Sequence, residues 1–181
     1  MQLAMFLLFT LSQLTGTLLE YSYDESGKIV FMEVVNTTIG YDTLVQNVEN
    51  LGFEKVEEGY EEQGFSKEAS FMLYNKRISK VPHGRLNYNV QIEVKGNRYR
   101  YVITDLIFHE YERNRYGRYE EKRNGQMALE PLLADADKQW EKHKQTILKK
   151  MESEVAILKS EIVVIPVEQE QKSKVKINDN W

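Results

Sequence analysis

With 181 residues, 41% of them hydrophobic, and a net charge of −4, the chain can bury one domain's core, and its mild acidity argues against general affinity for nucleic acid or acidic membranes. It has no cysteine, which excludes disulfides, thiolate nucleophiles and thiolate metal sites.

In chain order, Leu3 to Leu11 form an apolar run with the length and composition of a secretory signal core, too short to span a bilayer. Small residues at Ser12, Thr15, Gly16 and Thr17 offer a processing site, although no A-x-A triplet appears and no Lys or Arg precedes the run. Residues 1–20 are therefore expected to be a signal-like segment of an exported protein; the alternatives are a buried N-terminal strand or helix, or a start codon assigned too late. Residues 21–163 are expected to form a single domain, and 164–181, polar and charged beyond Pro166, a mobile tail in which Trp181 is the odd residue.

Within the domain, Ser26-Gly27 signals a turn, and Lys28 to Val35 is β-branched and aromatic enough for a strand. Its near-continuous apolar character predicts a central strand buried on both faces. Asp42 is placed to cap a helix running to Leu51, with Leu44, Val45, Val48 and Leu51 on one face and Gly52 as its left-handed terminator. The acidic stretch from Glu54 to Lys67 lacks the spacing of a calcium loop and reads as a solvated strand edge or loop. A strand is expected over 69–78, ended by Pro82 and Gly84, which lead through a loop into a hairpin. In that hairpin Tyr88, Val90, Ile92 and Val94 alternate with polar residues, Lys95-Gly96-Asn97 turns, and Arg98 to Thr104 returns. Ile107 to Glu112 continue the strand before a polar loop over 113–119. Trp140, Ile147, Met151, Val155, Leu158 and Ile162 then share one face of a helix over about 134–161.

The order of strand, short helix, about four strands and long helix predicts an α+β domain with both helices on one face of an antiparallel sheet. The segment Asp24 to Val35, followed by a short helix, and the later Ile92-Glu93-Val94-Lys95-Gly96-Asn97-Arg98-Tyr99-Arg100-Tyr101 resemble the two best-marked segments of a domain-of-unknown-function family. That family has a TATA-binding-protein-like (TBP-like) fold and is common in exported proteins of Bacteroidota. The resemblance covers residues 24 to 110. It implies a β-α-β4-α arrangement and no catalytic residues; its fold name gives no ground for DNA binding, because function resides in sites grafted on folds.

The chief candidate surface is the mixture of Arg98, Tyr99, Arg100 and Tyr101 with Arg113, Arg115 and Tyr116, since interleaved Arg and Tyr stack on bases or sugars and pair with phosphates or carboxylates. The glycine-led consensus of RNA-binding sheets fails at Asn97 and Arg98. The plainer reading packs the tyrosines and pairs the arginines with the acidic segment from Glu54 to Glu62. His83, His109 and His143 fall on different predicted elements, and neither a zinc motif nor a nucleophile elbow, P-loop or dinucleotide fingerprint is present. Asp135 and Asp137 favour the N-terminal end of the long helix dipole.

The sequence thus predicts an exported, non-enzymatic binding or structural module of a bacterial envelope. No cofactor is expected, and its partner class is an envelope protein or glycan. The alternatives are a nucleic-acid-binding domain using the Arg/Tyr hairpin, and an unrecognised ligand-binding protein or hydrolase.

Overall fold

The structure, a computed structural model, describes residues 21–58, 62–75, 80–134 and 136–164. The expected signal segment, the tail beyond Val164, and Gly59, Glu61 and Asp135 lie outside them.

Strict alternation places the hairpin at the centre of the sheet. β5 (Pro82–Lys95) and β6 (Arg98–Arg113) are antiparallel, with Tyr88, Val90, Ile92 and Val94 buried along one face. Positive φ is confined to Gly96 at the turn, the pattern of a type II′ hairpin, so Asn97 does not take the left-handed conformation. The expected loop at Pro82 and Gly84 is instead the start of β5. Pro82 occupies the first strand position, where no ladder N–H is required of it. Gly84 lies beneath Phe108: a Cβ there would fall 2.4 Å from the Phe108 ring and 2.3 Å from the His109 carbonyl oxygen.

Along β6 the buried set switches from odd positions (Tyr99, Tyr101, Ile103) to even ones (Leu106, Phe108). The register shifts at this point, and Asp105 takes φ +55°, so β6 bulges by one residue opposite Tyr88. One edge of β6 then serves two strands. β2 (Ile29–Asn36) pairs with it from Arg98 to Ile103, and β7 (Tyr119–Ala128) from Ile107 to Arg113. On the other side follow β4 (Glu62–Tyr74) and β3 (Glu54–Glu58), giving the order β1-β2-β6-β5-β4-β3 with β1 at Ser22–Tyr23.

β2 is not the doubly buried central strand its composition predicts. β1 covers it only at Ile29 and Val30, and Met32 and Val34 are 55% and 52% exposed, because only the face bearing Ile29 and Phe31 meets the helices. β4 starts well before Ala69, since the glycine-bearing stretch behind the acidic run pairs fully with β5. β3, with Glu54, Glu57 and Glu58, forms the far edge of the sheet, as a solvated acidic segment should.

α1 (Tyr41–Asn50) buries Leu44 and Val48. Its N-cap is Gly40, without a side-chain cap; Asp42 lies within the first turn, where its charge suits the helix dipole without bonding the orphan N–H groups. Gly52 ends the helix with φ +77°. A short α2 (Leu129–Ala134), absent from the sequence reading, precedes α3 (Lys138–Ile162). Asp137 caps α3 by accepting the Gln139 and Trp140 N–H groups at 2.8 and 2.9 Å. At 25 residues, about 37 Å, α3 crosses the sheet and buries Ile147, Met151, Val155 and Ile162 against it. Distant polar contacts fasten it. Asn47 of α1 donates to the Ile162 and Val164 carbonyls at 2.8 and 2.7 Å, and Lys159 pairs with Glu33 of β2. The result is an α+β domain whose sheet is covered by helices on one face and, among the described residues, bare on the other.

Candidate functional site

The alternation that makes β6 a strand also divides the Arg/Tyr stretch. Tyr99 and Tyr101 turn into the core at 1% and 0% exposure, which closes them to base or sugar stacking. Burial pushes the Tyr99 phenol up to about 12, and raises Tyr101 further together with its bond to Glu33 Oε2 at 2.8 Å. Arg98 and Arg100 project from the bare face. Arg113, the last residue of β6, and Arg115 and Tyr116 of the β6–β7 turn lie at the other end of a 16-residue strand about 50 Å long. There Asn114 Oδ1 accepts the Tyr116 and Arg118 N–H groups, and the Arg115 guanidinium lies over the Tyr116 ring. The sequence-predicted surface is therefore two separate exposed clusters with two core tyrosines between them. Nor does Arg100 pair with the acidic segment from Glu54 to Glu62; it pairs with Glu93 on β5, because β5 and β4 stand between β6 and β3.

The cross-strand registers define the bare face row by row. Its turn end is charged, with Glu62, Lys95 and Arg98 in one row and Glu93 and Arg100 in the next. Its middle is richer in hydrogen-bonding side chains: Ser66, Gln91 and Val102 share a row, Glu68, Asn89 and Thr104 the next, and Ser70 and Asn87 the one beyond, so that one carboxylate, Glu68, stands at the β4 side of this field. Ser66 Oγ donates to Asn89 Oδ1 at 2.8 Å. This amide and hydroxyl field offers both donors and acceptors on a rigid ladder.

Past the bulge, His109 is 8% exposed, and its Nδ1 lies 2.6 Å from Glu121 Oε1, while Arg85 Nη2 holds Oε2 of the same carboxylate at 3.2 Å. Glu121 is drawn below the usual carboxylate range, chiefly by the His109 hydrogen bond. A carboxylate thus fixes this imidazole's orientation, but no described hydroxyl or amine is hydrogen-bonded to the ring as a nucleophile would be. Buried beside it, Arg85 Nε and Asn87 Oδ1 have no hydrogen-bond partner among the described residues.

Two histidines that the sequence leaves apart meet on the covered face. His83 Nδ1 and His143 Nε2 lie 2.8 Å apart, enclosed by Phe108 and Trp140, and Gln139 bridges from His83 to Asn75. The gap of seven between Trp140 and Ile147 was the signal for this, since His143 fills the helix face there. Desolvation lowers both rings, His143 to about 4, so the pair is neutral at pH 7, one nitrogen donating and the other accepting. Among the described residues no group of three or more His, Asp or Glu side chains is placed to hold a metal ion. Beside His143 a hollow of about 670 Å³ is lined by Asn75, Gln139, Lys142, Thr146 and Lys149 among others. A smaller groove of about 210 Å³ between α3 and the sheet is mainly apolar, with Leu51, Phe53, Val90 and Ile157. No described helix is long and apolar enough to cross a membrane.

No protein-family model matches the chain, and no curated protein matches it. Among solved structures it is similar to a TBP-like protein from Parabacteroides distasonis, at 12% identity and a TM-score of 0.46, covering 77% of this chain and 92% of that one. It is also similar to a DUF4468 family protein from Bacteroides ovatus, at 13% identity and a TM-score of 0.43, covering 80% and 91%. A TBP-like fold and a family of unknown function are the two terms of the resemblance carried by residues 24 to 110, and both organisms belong to Bacteroidota.

Proposed function

We propose that the chain is an exported, non-enzymatic binding module of a bacterial cell envelope, and that it holds an envelope glycan on the bare face of its sheet. The observation that carries this reading is the field of amide and hydroxyl side chains, Ser66, Asn87, Asn89, Gln91 and Thr104, in the middle of that face, with the Glu68 carboxylate as a further acceptor beside Asn89. Amide side chains carry a donor and an acceptor side by side, the complement of adjacent sugar hydroxyls, and a β-ladder holds them without the entropy cost of ordering a loop. The flanking ion pairs, Arg100 with Glu93 and Arg85 with Glu121, keep the charges at the margins occupied with one another. The apolar run at Leu3 to Leu11 supports the location.

The test has two arms. In bacterial cells making the full chain, a mature protein beginning between about Thr15 and Tyr23 and recovered from the envelope is expected; an intact Met1 in the cytosol overturns the location. Retardation in gels containing purified envelope polysaccharide is expected for the native chain and reduced in Asn89→Asp and Gln91→Glu, which keep side-chain shape and remove the amide donors. Equal mobility with and without polysaccharide overturns the binding reading.

A further inference from the structure

The two edges of this sheet are built differently. β3 is short, bears Glu54, Lys55, Glu57 and Glu58, and has a register irregularity between Lys55 and Glu57, the features that discourage a further strand from pairing. β2 is longer and regular, and Glu33 is its one charged residue. From Phe31 to Asn36 it is paired regularly with β6 on one side, contains no proline, lysine or bulge, and has no described strand on its other side, because β1 stops at Val30. Every second residue of that stretch therefore turns its N–H and C=O outward from the sheet. The side chains beside this edge on the bare face are Met32 and Val34, both more than half exposed.

We infer that this edge pairs with the same edge of a second copy, about a two-fold axis through Glu33 and perpendicular to the sheet, so that the two sheets continue into one. The inference rests on how β2 fits itself, independently of what the bare face binds. An axis at Glu33 sets Met32 of each copy opposite Val34 of the other and Phe31 opposite Val35. It uses only the stretch that β1 leaves free, and pairing ends where Asn36 would reach the β1-covered Val30. On the bare face the rows of the two copies join into a continuous apolar stripe, Val102 and Met32 of one beside Val34 of the other, with an Arg100 closing each end. On the helix face the two Glu33 carboxylates meet near the axis, and each arrives already paired with its own Lys159, so the junction alternates in charge. An unrelated strand would have to reproduce this pattern; a second copy supplies it by symmetry.

A strand pair this short is smaller than the roughly 800 Å² per partner of a standard interface, so association should be weak and concentration-dependent. The experiment is sedimentation velocity of the full chain over a wide concentration range, with Val34→Lys, Met32→Lys and, as a control on another exposed apolar residue, Ile157→Lys. A monomer–dimer equilibrium is expected for the native chain and for Ile157→Lys. Dissociation constants raised roughly 100-fold are expected for the two β2 variants, in which lysines confront each other or displace the stripe. Because the chain has no cysteine, the double variant Met32→Cys/Val34→Cys gives a second readout: mild oxidation should link it into a covalent dimer. A chain that stays monomeric up to its solubility limit overturns the inference, as does a dimer insensitive to both lysine variants. Slow exchange of the outward-facing Met32, Val34 and Asn36 amides in a monomer would also overturn it, by showing that a segment of the same chain covers the edge.

Discussion

Replacing the histidine pair removes a stability term that depends on pH in a calculable way. His143 has an ordinary imidazole pKa of 6.5 when unfolded and about 4 in the fold, where desolvation and the neighbouring His83 disfavour its charge. Because the folded value is depressed, protonation favours the unfolded chain. The full contribution is present above pH 6.5 and is lost as the pH falls toward 4. The difference of about 2.5 units corresponds to about 3 kcal/mol at pH 4 and about 2.5 kcal/mol at pH 4.5. His83 is lowered as well and adds to the loss with the same sign, opposed in part by the carboxylates of Glu110 on β6 and Asp137 at the start of α3. Urea unfolding of the native chain and of His83→Leu/His143→Leu at pH 7.0, 5.5 and 4.5 isolates the effect, since carboxylates elsewhere titrate alike in both. Between pH 7.0 and 4.5 the native chain should lose at least about 2.5 kcal/mol more than the double variant. A gap within about 0.5 kcal/mol, or a His143 ring proton that titrates by NMR at 6.5 or above, would refute the reasoning.

Three other outcomes are expected. Tyr101→Phe forfeits the hydrogen bond to Glu33 and should cost about 1 kcal/mol in denaturant unfolding, whereas Tyr99→Phe should be neutral or stabilising, because the buried Tyr99 hydroxyl has no partner among the described residues. Gly84→Ala drives a Cβ into the Phe108 ring and the His109 carbonyl and should cost about 3 kcal/mol by the same assay, since Trp140 and His83 pack around Phe108 and restrict its escape. Met151→Ala, in the middle of the buried face of α3, should lower stability by roughly 2–5 kcal/mol and appear as a lower thermal midpoint.

Residues that carry their own periodicity were legible from the sequence. The alternation from Tyr88 to Val94 located the central hairpin, and the spacing from Ile147 to Ile162 located the buried face of α3 to within a few residues. β7 was not legible: Tyr119 to Ala128 is mostly exposed, and backbone pairing with β6 holds it where no apolar alternation marks it. The β6 bulge left a trace, because Tyr99, Tyr101 and Ile103 are out of step with Leu106 and Phe108, and only an inserted residue keeps both sets on one face. β2 misled through composition, since a run of apolar residues looks the same at a half-covered edge as in a doubly covered centre. For the candidate surface, the alternation that identified β6 already implied that Tyr99 and Tyr101 oppose Arg98 and Arg100. The meeting of His83 with His143 depends on how α3 crosses the sheet, which no local pattern encodes.

The fastening of α3 bears on how the chain comes to be made. The contacts that close the fold span most of the domain: Glu33 with Lys159, Asn47 with Ile162, and the Ile29 N–H with Glu130. During synthesis from the N-terminus, β2, α1 and the meander from β3 to β7 all emerge before the helix that covers them. The nascent sheet must wait with Phe65, Leu86, Ile92 and Phe108 still facing water. The core can therefore close only after α3 has been made.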